Sequence, residues 1–243
     1  MRDVDVVRRG PERVRVMPWR GDATVAHVTP LGEASPLSVA MVRHCCVALA
    51  ERGYRSVVTG ALARREQQGF FDDGFVVREE LHLLAHDLAE VPEAPATPIG
   101  TRLRRGHRWD RPHTLEVDRL AFPPFWQLDA AGLEEAMAAT PQARYRVAAG
   151  GQVVGYAVTG RAGARGYLQR LAVAPAVTGR GVGAALVIDA LRWMQARRVS
   201  RAVVNTQVAN ERALALYLRL GFRLQPSGLA VLTRPLTDRQ PAR

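Results

Sequence analysis

Three glycines at alternate positions, Gly179, Gly181 and Gly183, lie in the stretch AVTGRGVGAAL. An apolar run, GYLQRLAVAP (166–175), precedes them, and a long amphipathic pattern follows. A strand, a tight turn and a helix in that order leave amide N–H groups free at the helix start, where the helix dipole favours negative charge. The chemistry this suits is the holding of a diphosphate by backbone amides. Two familiar phosphate loops do not fit the spacing. The Walker loop needs lysine and then Ser or Thr after its last glycine, whereas Ala184 and Ala185 follow Gly183. The dinucleotide loop is G-x-G-x-x-G, and here the third glycine comes one residue early and in mid-chain.

Other groups are less promising. His82 and His86 are four apart, but their segment reads as a strand and lacks the glutamate of H-E-x-x-H, so no metal site is expected. TRLRRGHRWDR (101–111) reads as a solvated strand and loop in preference to a nucleic-acid patch. Cys45 and Cys46 are adjacent in a helical pattern and poorly placed to staple anything, which suits a reducing, cytoplasmic setting. No run of eighteen apolar residues is present and the first residues have no apolar signal core, so neither a membrane span nor a secretory leader is expected.

Charge points the same way as the glycines. All 34 basic residues of the 243 are arginine, so no lysine is available as a nucleophile. Residues 1–100 carry a net charge of −2 and residues 101–243 one of +13. The second part therefore attracts anions: a phosphorylated cofactor, an acidic substrate or nucleic acid.

The elements that must position the loop alternate in an α/β order. AEVPEAPATPIGTR (89–102), with Pro92, Pro95 and Pro98, reads as a linker between a domain at 1–90 and one at 101–243, the linker proper being 91–100. In the second domain, 113–122 and 129–140 are helical, with the aromatic loop FPPFWQ between them. Residues 143–160 are a hairpin around Gly150-Gly151 and 166–175 a strand. A helix at 181–198, a strand at 201–208, a helix at 210–222 capped by Asn210 and ended by Gly221, and a last strand at 228–236 follow.

LAVAPAVTGRGVGAALV, followed by a strand and NERALALYLRLGF, resembles the GCN5-related N-acetyltransferase (GNAT) family over about residues 101–236. The family's cofactor loop, Q/R-x-x-G-x-G/A, is here Thr178-Gly179-Arg180-Gly181-Val182-Gly183, with Thr in the first place. The later pattern matches at Asn210, Ala213, Leu216-Tyr217 and Gly221-Phe222. The resemblance implies a mixed, mostly antiparallel sheet with splayed central strands and flanking helices. It implies acetyl-CoA as cosubstrate, held by Leu171, Ala172 and Val173 on one strand, by residues 178 to Ala184 of the loop, and by Asn210. It implies Tyr217 as general acid for the departing thiolate and direct attack by a neutral amine. In flavour the sequence is similar to the ribosomal-protein N-terminal acetyltransferases. Positions where relatives carry a carboxylate base are amides here, Gln169 and Asn205. That leaves a water relay through these two or a reach from Glu116, and it favours an acceptor of low pKa such as a protein α-amine. Phe122, Phe125 and Trp126 lie where relatives bind substrate.

The first domain reads as a degenerate copy of the second. RSVVTGALARREQQGFFDDGF (55–75) parallels RAVVNTQVANERALALYLRLGF (201–222); anchored on Gly-Phe, Ala63 falls opposite Asn210 and Phe70 opposite Tyr217. Its counterpart of the glycine loop, TPLGEASPLS (29–38), keeps one glycine and carries Glu33. The expectation is an N-acetyltransferase acting on a protein N-terminus or a small-molecule amine, as a monomer or homodimer. The alternative is a non-catalytic acyl-CoA-binding or interaction protein.

Overall fold

The computed structural model describes residues 5–32, 36–98 and 100–236. By their internal contacts the residues fall into two compact units. One takes Met1–His82, Gln207–Ala209 and Pro226–Arg243; the other takes Leu83–Thr206 and Asn210–Gln225. These bounds differ from a division at 90/101: residues 83–90 join the second unit and Gln207–Ala209 join the first. The linker goes with the second unit, and the last strand goes with the first.

In the first unit, β1 (Asp5–Arg9), β2 (Glu12–Trp19) and β3 (Asp22–Leu31) form an antiparallel meander. Helix α1 (Val39–Glu51) follows, then β4 (Ser56–Thr59), which pairs with β3 in parallel from Val25↔Ser56 to Val28↔Thr59. Ser38 caps α1: its hydroxyl accepts from the Met41 amide at 3.1 Å and donates to Glu12 Oε2 at 2.7 Å. Met41, Val42, Cys45, Cys46 and Leu49 form the buried stripe of α1. The short β5 (Leu62–Ala63) and α2 (Gln68–Phe71) lead to β6 (Val76–His86).

The end of β6 belongs to the second unit, which continues with β7 (Arg102–Arg105), α3 (Arg111–Ala121) and α4 (Ala130–Ala138). Then come β8 (Gln142–Ala149), β9 (Val153–Ala162), β10 (Arg165–Val173), α5 (Val182–Gln195), β11 (Arg201–Gln207), α6 (Glu211–Arg219) and β12 (Arg223–Leu224). Strands β7 to β10 run antiparallel to their neighbours, while β10 and β11 are parallel. Every element expected in this half is present, displaced at its ends by a few residues. Helix α5 is apolar on nearly every side, with Val182, Leu186, Ile188, Leu191 and Met194 at 1% exposure or less, as a central helix must be.

The last strand, β13 (Leu229–Pro235), returns to the first unit. It pairs antiparallel with β4, with β5 and with the part of β6 from Val76 to Leu81. Leu232 of β13 is fully buried in the core that α1 covers.

Both units thus contain a parallel strand pair bridged by a helix, β3–α1–β4 and β10–α5–β11. Glu33, which the sequence places in the loop before α1, lies outside the described residues.

Candidate active site

Strands β10 and β11 keep register for only three residue pairs, Arg165↔Arg201 to Tyr167↔Val203. Strand β10 runs on to Val173 and β11 to Gln207. The parting coincides with a bulge in β10 between Leu168 and Arg170, where its register with β9 shifts by one. A bulge sharpens the local twist and bends the strand away from its neighbour. Beyond it Leu171, Ala172 and Val173 remain paired with Ala157, Tyr156 and Gly155 of β9, so their opposite edge is open.

At the end of that edge the chain makes a single 3-10 turn at Pro175–Val177 and enters α5. The Thr178 hydroxyl donates back to the Ala174 carbonyl at 3.3 Å, so this side chain ties the loop to itself. Gly179 and Gly181 have φ of 81° and 83°, the left-handed region that disfavours any residue with a Cβ. Gly181 takes the N-cap position without a side-chain bond. The amides of Gly179, Gly181, Val182, Gly183 and Ala184 donate to no acceptor among the described residues. Arg180 is exposed beside them. The loop is an array of free donors with the positive end of a helix behind it.

The expected linker is not detached from this loop. Leu88 accepts from Gln195 Nε2 at 2.8 Å and Pro92 accepts from Arg192 at 3.4 Å, both donors lying on α5. The strand of chain then reaches Gly181, where Pro95 and Ala96 pack against it.

Asn210 caps α6, its Oδ1 accepting from the Ala213 amide at 3.0 Å. The side-chain nitrogen is left over for another partner. Tyr217, on the same helix, is 4% exposed and packs on Phe222 with ring centroids 5.5 Å apart. Its hydroxyl bonds to no group among the described residues. Burial pushes the phenol well above its ordinary range, and the charge of Arg170 opposes part of that rise. It is therefore a protonated, uncommitted donor at neutral pH.

The two amides expected to relay a proton are not joined to each other. Gln169 donates to Thr140 Oγ1 at 3.3 Å, and its Oε1 is buried without a partner. Asn205 is exposed on β11. Glu116 does not reach the cleft. It precedes Val117 and Asp118, the buried face of α3, and the turn of the helix sends it to solvent, where Arg119 Nε and Nη2 hold it at 2.9 and 2.6 Å. Arg119 also keeps its carboxyl below the usual range, which makes it a weaker base still.

The aromatic loop forms a 3-10 turn at Pro124–Trp126. Phe122 packs against the core of α3, α4, β8 and β9, Phe125 and Trp126 meet edge to face at 5.1 Å, and all three are half-buried. What sequence reasoning missed is the group beneath them. Asp118 is fully buried, and Arg170 Nε and Nη2 donate to its two oxygens at 2.8 and 2.9 Å. The signal was available: a carboxylate on the apolar face of a helical pattern requires a cation.

No group of His, Cys, Asp and Glu among the described residues could hold a metal ion. No helix among them is long and apolar enough to cross a membrane.

Residues 108–222 match the model of the Acetyltransferase (GNAT) family. A GCN5-related N-acetyltransferase from Sphaerobacter thermophilus superposes with a TM-score of 0.67 at 16% identity, over 93% of this chain and 77% of that one. A tandem GNAT protein from the clavulanic acid biosynthesis pathway gives 0.70 at 15%, over 97% and 83%. A GCN5-related N-acetyltransferase from Kribbella flavida gives 0.64 at 15%, over 95% and 90%. Among curated proteins none matches the sequence. The chain has the GNAT fold, and its residues 108–222 carry the pattern of that acetyltransferase family.

Proposed function

We propose that this protein transfers the acetyl group of acetyl-CoA to a primary amine, and that a protein or peptide α-amine is the preferred acceptor. The observation that carries the reading is the parting of β10 from β11 beside five uncommitted amides at the start of α5.

Acetyl-CoA supplies an acyl group activated as a thioester. The amides of Gly179, Gly181, Val182, Gly183 and Ala184 would hold its diphosphate, with Arg180 adding charge. The open edge of β10 at Leu171, Ala172 and Val173 offers backbone groups to the pantetheine arm, and the free side-chain nitrogen of Asn210 offers another. Tyr217 keeps the proton that the departing thiolate needs.

The carboxylates of α3 supply no base. Glu116 is tied to Arg119 at the surface and Asp118 to Arg170 in the interior. The acceptor must then arrive largely uncharged. At neutral pH an α-amine, with a pKa near 8, has roughly a hundredfold larger neutral fraction than a lysine side chain.

The first unit is proposed as a degenerate GNAT-like partner without a cofactor site. Where β3 and β4 end it has a cavity of about 180 Å³, lined by Thr29, Pro30, Leu37, Gly60, Leu62 and Glu66. That is below the usual size of a small-molecule site, roughly 300 Å³ and upward. In sequence, anchored on Gly-Phe, Ala63 and Phe70 fall opposite Asn210 and Tyr217 and lack their polar groups.

The test is titration calorimetry with acetyl-CoA, followed by a panel of peptide N-termini and small amines read by release of free CoA. One acetyl-CoA per chain and turnover on α-amines are expected. Two sites per chain, or turnover confined to lysine side chains, would overturn the reading.

A further inference from the structure

The buried carboxylate of Asp118 accepts four hydrogen bonds. Two come from Arg170, one from the Tyr156 hydroxyl at 2.5 Å and one from the Leu128 amide at 2.7 Å. The Arg170 guanidinium has a further role. Its Nη2 also donates to the Trp126 carbonyl at 2.6 Å, and its Cζ lies over the Phe122 ring, 3.6 Å from the centroid. The side chain is 11% exposed and Asp118 is not exposed at all.

A buried ion pair is a poor way to stabilise a core, because the desolvation of both charges offsets most of the attraction between them. What a planar guanidinium fork does well is fix geometry. Here the fork joins three pieces of chain. Asp118 is on α3, Phe122 and Trp126 are on the aromatic loop, and Arg170 sits at the bulge of β10 where the strand leaves β11. The aromatic loop is thereby held in one position relative to the strand that the acyl donor would follow.

We infer that Arg170, braced by Asp118, is the positioning residue of the acceptor side. It fixes Phe122 and Trp126 against the β10 bulge and so sets the space that an incoming amine must fit. The inference rests on the acetyl-transfer reading and deepens it. A second consequence concerns Tyr217, because the charge of the same guanidinium opposes part of the rise that burial imposes on its phenol. Removing the charge leaves the phenol a weaker acid.

The two effects separate with two variants. Arg170→Lys keeps a charge but loses the fork, and Arg170→Met loses both. With Arg170→Lys the KM for the acceptor should rise about tenfold or more, while kcat changes by less than about threefold. With Arg170→Met both should worsen, kcat by about tenfold or more. The calorimetric Kd for acetyl-CoA should stay within about twofold in both. Trp126 reports the loop without any substrate: the emission lost on Trp126→Phe should be red-shifted in each Arg170 background. Cooperative melting shows which variants fold. If neither Arg170 variant melts cooperatively, the isosteric Asp118→Asn carries the same test, with the acceptor KM and the Trp126 emission as readouts.

Unchanged acceptor KM together with unmoved Trp126 emission in a folded variant overturns the inference. A wild-type protein that binds acetyl-CoA yet turns over no amine defeats the acetyl-transfer reading instead. In that event the Trp126 emission alone decides whether the fork holds the loop.

Discussion

The carbonyl oxygen of Ala96 lies 2.6 Å from the position a Cβ on Gly181 would occupy. Real Cβ atoms do not approach a carbonyl so closely, so the chain before β7 and the loop before α5 fit together only because residue 181 has no side chain. Gly181 is also left-handed at φ 83°, which adds about 1–2 kcal/mol for any other residue. Gly183 is different. A Cβ there would meet Leu216 and Val173 at 3.5 and 3.6 Å, ordinary contact, and its backbone is helical.

This separates two substitutions that look alike in sequence. Gly181→Asp should lower the melting temperature even without ligand. Gly183→Asp should fold and yet lose acetyl-CoA binding, because it places a negative charge among the free amides. Calorimetry beside a thermal melt checks both. Gly183→Asp binding coenzyme A as well as wild type would show that the diphosphate is held elsewhere.

Replacing Tyr217 by Phe removes one hydroxyl from a buried site where it bonds to nothing among the described residues. The hydroxyl is not among the polar atoms sealed from solvent, so its loss breaks no internal bond and Tyr217→Phe should melt close to the wild-type temperature. Turnover should fall about tenfold to a thousandfold, the usual span of acid–base contributions. Acetyl-CoA affinity should hold. Steady-state rates with chemistry rate-limiting, set against the Kd, decide it; undiminished turnover removes Tyr217 as the acid.

How much of this was legible in the sequence depends on the range of the interaction. The loop and Asn210 are local devices: glycine spacing and a capping side chain show in a dozen consecutive residues. The order of elements in the second unit was readable for the same reason, since each carries its own period. The meander of β1 to β3 carries a local period of two as well, in VRVMPW and ATVAHVT. Nonlocal partners were not readable. Asp118 and Arg170 are 52 residues apart, and only the folded sheet brings one beneath the other. Glu116 and Asp118 differ by two positions, which the helix turns from outside to inside.

Cys45 and Cys46 should be silent thiols. Burial, first, and the neighbouring Cys46 push Cys45 up to about 12, and burial pushes Cys46 up to about 11. Near pH 8 only about one Cys46 in a thousand is the reactive thiolate. Ellman's reagent should therefore label neither in the native protein and both after denaturation. The sign for stability follows from proton uptake. Between pH 9 and about 11 the unfolded chain has lost these protons while the native one keeps them, so stability is intact below pH 9 and falls as pH rises through that window. Urea midpoints at pH 8 and pH 10.5, for wild type and for Cys45→Ala/Cys46→Ala, measure it. An equal loss in both proteins would assign the effect to other groups.

The last strand makes the first unit depend on the far end of the chain. Leu232 of β13 is fully buried in the core beneath α1, and its amide donates to the Thr59 hydroxyl at 2.9 Å. Thr59 belongs to β4, 173 residues earlier. Leu232→Ala should cost about 2–5 kcal/mol, the range for a large core residue cut to a methyl group. The loss should appear in the first unit. Hydrogen exchange of the α1 amides, Met41 to Leu49, should quicken in step with the lost stability, while that of α5, Leu186 to Met194, should quicken less. The same logic applies to truncation. A chain beginning at residue 101 keeps β13 but removes its three partners β4, β5 and β6, and it strips β12 of its pairing with Leu84 and Ala85. Such a fragment should melt without a cooperative transition and expose Leu232, read as binding of a hydrophobic dye. A well-folded, dye-silent fragment from residue 101 would mean that β13 finds a different partner when the first unit is gone, and that the strand is not committed to β4.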